Sequence, residues 1–100
     1  MIKHFVFWKL NENAQGNDKA TNAQLIKEKL EALNGQITGL LELEVGIDFV
    51  QGPASADVAL YSVFETREAL DAYQVHPAHE AAKGFIQSVT SGRQVVDYVC

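Results

Sequence analysis

The sequence predicts an α+β fold in which four strands and two helical stretches follow one another in the order βαββαβ. Three observations carry that expectation: apolar residues alternate with period two in four segments, recur every three or four residues in two others, and are separated by clusters of Gly, Pro, Asn and Asp. Met1 to Leu10 alternates, with Ile2, His4, Val6, Trp8 and Leu10 on one face and Lys3, Phe5, Phe7 and Lys9 on the other. It reads as a strand with apolar groups on both faces. Asn11 to Gly16 has no period and reads as a connection. Asn17 or Asp18 can then cap a helix, because its side-chain oxygen accepts an orphan backbone N–H. Ala20, Ala23, Ile26, Leu30, Leu33 and Ile37 line one face of that helix, and the Asn34-Gly35 pair is expected to end it.

Gly39 to Val50 sets Leu41, Leu43, Val45, Ile47 and Phe49 against Glu42, Glu44, Gly46 and Asp48. This is expected to be a strand with one buried face and one wet or partner-facing side. Gln51 to Ser55 has turn composition, and Asp57 to Glu65 is a third strand hairpinned to the second. Thr66 caps a run carrying Ala69, Leu70 and Tyr73, which His76-Pro77 interrupts because proline disfavours the α conformation in the residue before it. Pro77 suits the first position of a new stretch with Ala78, Ala81, Ala82, Phe85, Ile86 and Val89. Ser91-Gly92 stops that stretch, and Arg93 to Cys100 closes the chain as a fourth strand.

The order is that of the ferredoxin-like, split βαβ arrangement, a four-stranded antiparallel sheet with its helices on one face. The helices leave the other face open. Yet Phe5, Phe7, Tyr61 and Val63 occupy the parity opposite to Val6, Trp8, Leu60 and Phe64, so both faces carry large apolar groups. An apolar open face needs a cover, and a second copy of the sheet about a two-fold axis is the expected one, giving a homodimer joined through its sheet faces.

Composition narrows the function classes. One hundred residues make a single domain over residues 1–100, and 47% hydrophobic with 21% charged residues is globular usage. The apolar runs Phe5 to Trp8 and Val58 to Tyr61 fall far short of the roughly 20 residues of a membrane span, and the first residues lack a signal-peptide core. No membrane partner is expected. The net charge of −5 and the scattered lysines and arginines argue against nucleic acid, which needs clustered positive charge. Cys100 is the single cysteine, so no internal disulfide forms and a reducing cytoplasm fits best. No phosphate-cradling glycine loop is present, and no cofactor is expected.

All three histidines lie in two segments, His4 in the first strand and His76 and His79 in Tyr73-Gln74-Val75-His76-Pro77-Ala78-His79. Histidine is the usual acid or base near neutral pH, and a tyrosine hydroxyl can orient a carbonyl oxygen. If the parity of Ile2, His4, Val6 and Trp8 faces the helices, His4 points at the segment where Tyr73 and His79 emerge. A polar cluster in an apolar cleft results, with Val6, Trp8 and His76 as ligand-contacting neighbours. The same residues admit a structural reading: His4 as a buried histidine with a satisfied hydrogen bond, Tyr73 as a packing aromatic with its hydroxyl at the rim, His76 as a helix cap. A metal reading would use His76 and His79 with Glu80 or Asp71, but it lacks a third close-spaced ligand. Glu42 and Glu44 read as a solvated face, and Cys100 has no basic neighbourhood to activate it.

The opening Ile-Lys-His-Phe-Val-Phe-Trp-Lys-Leu, Val45-Gly46, Phe64-Glu65-Thr66, the Tyr73 to His79 segment ending in His-Pro-Ala-His, and Val96-Asp97-Tyr98 together resemble the stress-responsive A/B barrel domain family, also written Dabb. The resemblance spans nearly the whole chain. It implies a ferredoxin-like α+β fold that dimerises through its sheets into an α/β barrel, in a family most of whose members have no established activity. A plant polyketide cyclase of the family uses a first-strand histidine, a helix tyrosine and the second histidine of His-Pro-Ala-His. These match His4, Tyr73 and His79. The resemblance thus implies a cofactor-free site for a small carbonyl or polyketide-like molecule with His79 as general base and Tyr73 and His4 orienting it. The alternative is a non-enzymatic, stress-related or structural dimeric domain in which the same residues tie the first strand to the helix.

Overall fold

In the computed structural model, which describes all 100 residues, the chain runs β1 (Ile2–Leu10), β2 (Asn13–Ala14), β3 (Asn17–Asp18), α1 (Lys19–Glu31), β4 (Leu40–Ile47), β5 (Val58–Phe64), α2 (Arg67–Gln74), α3 (Pro77–Val89) and β6 (Thr90–Val99). The four long strands form one antiparallel sheet in the order β4-β5-β1-β6. This is the ferredoxin-like arrangement, with a small ribbon of β2 and β3 added before α1. The ribbon turns through Gln15 at φ 53° and Gly16 at φ 77°, the two left-handed residues that a tight primed hairpin turn needs. Two-residue strands have no period to detect. The ribbon fixes the entry to α1, because the fully buried Asn22 donates its amide to the Ala14 carbonyl at 3.0 Å and accepts from Asn17 at 3.2 Å.

Asp18 is the helix cap, accepting the Thr21 N–H at 2.8 Å, and the Thr21 side chain, seconded by that backbone bond, holds its carboxyl below the usual range. The α-helix ends at Glu31, earlier than Asn34-Gly35. Tighter turns from Leu33 to Leu30 and from Asn34 to Glu31 carry the chain to Gly35, which takes the left-handed φ of 77°. Leu33 and Ile37 are buried but lie past the helix. Gly39 is required as glycine: its φ is 85°, and a Cβ there would sit 2.5 Å from the Ala69 Cβ of α2.

The expected alternation of β4 holds only at Leu43 and Val45. An irregularity in the pairing between Leu40 and Glu42 turns Leu41 outward, half exposed. The strand ends at Ile47, so Ile47 is 41% and Phe49 93% exposed, outside the reach of the helix layer. The last strand also starts earlier than Arg93. It follows α3 directly at Thr90, with no intervening loop.

Ile26, Leu30, Phe64, Tyr73 and Val89 are at most 1% exposed and fill the space between sheet and helices. Burying such a side chain is worth roughly 1.5–3 kcal/mol. The helix layer seals β4, β5 and β1 but stops short of β6, where every residue from Ser91 to Val99 is exposed. On the opposite face, Phe5 packs against Phe7, Tyr61 and Tyr98 with ring centroids 6.4, 5.4 and 5.8 Å away. No element of the chain covers that aromatic patch.

Candidate functional site

β1 and β6 pair so that Trp8 lies beside Arg93, Val6 beside Val95, and His4 beside Asp97. All six belong to the helix-side face of the sheet. Since the helices do not reach β6, a gap remains between this row and α3, and it forms a cleft of about 470 Å³. His4, Val6 and Trp8 line it from β1, His79, Lys83 and Ile86 from α3, and Arg93 and Val95 from β6. A second hollow of about 540 Å³ lies on the far side of Asp97, against Arg67, Leu70 and Asp71 of α2. It contains no histidine.

His4 is 2% exposed, and its Nδ1 pairs with the carboxylate of Asp97 across the β1–β6 register. That pairing leaves Nε2 as the uncommitted nitrogen. Tyr73 is fully buried, its ring tilted against Phe64 at 4.9 Å and edge-on to His4 at 6.2 Å. Its hydroxyl has no hydrogen-bond partner, and burial pushes its pKa up beyond the ordinary tyrosine range. His79 stacks on Tyr73 at 4.0 Å, is 8% exposed, and also has a partnerless buried atom, Nδ1. Burial, seconded by the ammonium of Lys83, holds the His79 pKa below its ordinary value against the opposite pull of the Gln74 carbonyl and Glu80. Burial thus favours the neutral ring. Desolvation is the leading cause, and His79 stands in the first turn of α3.

His4, Tyr73 and His79 therefore come together, with Val6 and Trp8 on the cleft wall. Tyr73 stands behind His79 rather than at a rim. His76 is elsewhere. Its Nδ1 accepts the Ala78 N–H at 3.1 Å and so caps α3, and it lines a separate shallow hollow against Leu33 and Gln36. His76 and His79 thus face different sides of α3, so the spacing that invited a metal does not converge. No three His, Cys, Asp or Glu side chains gather as metal ligands do. Asp97, Lys83 and Arg93 were not singled out from residue types. The alternation of Arg93, Val95, Asp97 and Val99 against Gln94, Val96 and Tyr98 was the available signal, since it places two charges on the helix side of an edge strand.

Fold and site together define a ferredoxin-like α+β domain with a histidine-lined cleft between sheet and helices and an aromatic open face. The description of the stress-responsive A/B barrel domain matches residues 2–100, and the chain belongs to that family. An uncharacterized Streptomyces coelicolor protein is 35% identical over 81 residues, 81% of each chain. The crystal structure of a dimeric protein of unknown function with a ferredoxin-like fold, from Bacteroides fragilis, is 32% identical with a TM-score of 0.83, covering 97% of this chain and 93% of that one. A hydroxynitrile lyase from Passiflora edulis is 20% identical with a TM-score of 0.75, covering 99% and 92% of the two chains. That last likeness is one of fold.

Proposed function

We propose that this chain is a cytoplasmic homodimer, joined through the open sheet face, whose cleft takes a small carbonyl or polyketide-like compound. The observation that carries the cleft reading is the partnerless buried His79 Nδ1 on a residue lining an open volume of about 470 Å³, with the equally partnerless Tyr73 hydroxyl on the ring stacked behind it. A histidine held in place only to support the fold would have its ring nitrogens satisfied. His79, neutral and stacked on Tyr73, is the general base and takes a proton from carbon next to the substrate carbonyl. His4 is oriented by the contact of its Nδ1 with Asp97 and lines the cleft, where an Nε2–H donates to the oxygen on which negative charge develops. Tyr73 fixes the plane of His79. That a hydroxynitrile lyase shares the fold supports the general point that this scaffold can hold catalytic groups. The Bacteroides fragilis dimer and the aromatic patch around Phe5 support self-association. The free exposed thiol of Cys100 suits a reducing compartment.

The test is His79→Ala with thermal melts in the presence and absence of a panel of β-keto compounds. The variant should keep the wild-type fold, lose some stability because a buried ring stacked on Tyr73 is removed, and lose every ligand-induced rise in melting temperature. A large drop in melting temperature with an unchanged ligand response would instead favour the non-enzymatic structural domain.

A further inference from the structure

The charges around the cleft are one-sided. The chain as a whole carries −5, yet Lys83 and Arg93 line the cleft and no carboxylate does. Lys9, Lys19, Lys27 and Lys83 each meet a carboxylate, and Asp97 is taken by His4, its own partner in the β1–β6 register. Arg93 has no such partner. It stands beside Trp8, with Val6, Val95 and Ile86 as the apolar walls of the same cleft. Low-dielectric walls bearing a single sign of charge concentrate the field on whatever enters. A guanidinium offers a planar fork that matches a carboxylate in two parallel hydrogen bonds, which an ammonium cannot do.

We propose that the cleft selects carbonyl compounds that also carry a carboxylate: Arg93 grips the carboxylate, Lys83 adds to the attraction, and the carbonyl end lies inward against His79 and His4. This rests on the cleft reading given above and narrows it to oxo-carboxylates. A volume of about 470 Å³ admits a keto acid with one aromatic ring and lies within the usual range of small-molecule sites.

The experiment titrates the ¹⁵N-labelled full chain, as the assembly it forms in solution, with 3-benzoylpropionate and with its methyl ester, at low salt, following amide resonances around the cleft. The two probes share a body and differ by one charge. The free acid should bind about tenfold or more tighter than the ester, the weight of one charge-assisted hydrogen-bonded pair. Arg93→Gln should erase that preference by bringing the acid's Kd up to the ester's, while Arg93→Lys should keep part of it. Arg93 is exposed on an edge strand, so these variants should fold, and Lys83→Gln gives a second, smaller loss because Lys83 is already paired with Glu80. Equal binding of acid and ester overturns the proposal while leaving the cleft reading standing, as does a preference that survives Arg93→Gln and Lys83→Gln together. Inorganic phosphate that shifts the same resonances as strongly as the acid overturns it too, since the site would then hold any anion. Failure of both probes to move the cleft resonances at millimolar concentration overturns the proposal and the cleft reading together.

Discussion

On the helix side of β1, His4, Val6 and Trp8 are buried by the chain's own helices, whereas Phe5 and Phe7 on the other side are half-buried against Tyr61 and Tyr98 with nothing above them. The two faces fall short in opposite ways. The helix side has its apolar surface covered but leaves the Tyr73 hydroxyl and His79 Nδ1 without partners. The open side has its polar groups in water or paired, as Tyr61 is with Glu42 at 3.4 Å and Lys3 is with the Tyr61 ring at 5.9 Å, but leaves aromatic surface exposed. An unmet polar group is answered by a ligand with matching atoms, and an unmet apolar face by another apolar face. Under the proposed function, one strand serves recognition on one side and assembly on the other.

The largest break in this comparison should come from charging the open face. Phe5→Glu would bury an unpaired carboxylate between two sheets at a cost of several kcal/mol, weakening association by a factor of about 100 or more. Sedimentation of the wild type at micromolar concentration should give twice the protomer mass, and of the variant the protomer mass alone, while the variant's helix-side cluster stays as it is. A wild-type monomer, or a dimeric Phe5→Glu, would remove the assembly role from this face.

The two faces differ in how far the sequence revealed them. Alternation in β1 and β5 is undisturbed, so the parity of Phe5, Phe7 and Tyr61 against Val6, Trp8 and Leu60 could be read directly, and with it the layer order and the need for a cover. In β4 the same reading failed at Leu41, Ile47 and Phe49, because a pairing irregularity and the strand end override alternation and neither leaves a compositional mark. On the helix side, His4, Tyr73 and His79 were legible by residue type and resemblance. Their surroundings were not. That Asp97 holds His4 depends on β6 lying beside β1 in one particular register, and that His76 turns away depends on its capping of α3. Long-range register and local capping are decided by packing, which residue types alone do not encode.

A smaller effect should sharpen the contrast. Tyr73→Phe deletes a buried hydroxyl that has no partner and keeps the ring that stacks on His79. An unsatisfied buried polar group costs about 1–3 kcal/mol, so chemical denaturation should find the variant as stable as wild type or more stable by up to that amount. Aromatic residues whose hydroxyls are bonded show the reverse. A loss of 1 kcal/mol or more would mean the hydroxyl is satisfied in solution, and the helix side would then be no less complete than the open face.

The smallest effect is a dependence on pH that the helix side alone should show. Burial holds the folded His79 pKa below the ordinary 6.5, with the Lys83 ammonium acting the same way and Gln74 and Glu80 opposing, while unfolding returns the ring to water and to its ordinary value. Above that value both states are neutral and the ring contributes nothing to the pH slope. As pH falls through 6.5 the unfolded chain takes up a proton that the folded chain resists, so stability declines until the folded ring also protonates, and is level below that. Asp18 and Glu31, whose carboxyls are lowered by hydrogen bonds to Thr21 and Lys27, lose their contributions only at more acid pH. Every other titratable group is common to wild type and His79→Gln, so the difference between the two isolates one ring. Melting temperatures between pH 7.5 and 5.5 should fall more steeply for wild type than for His79→Gln. Parallel curves would mean that water reaches the ring freely and that burial does not help to keep His79 in its neutral form.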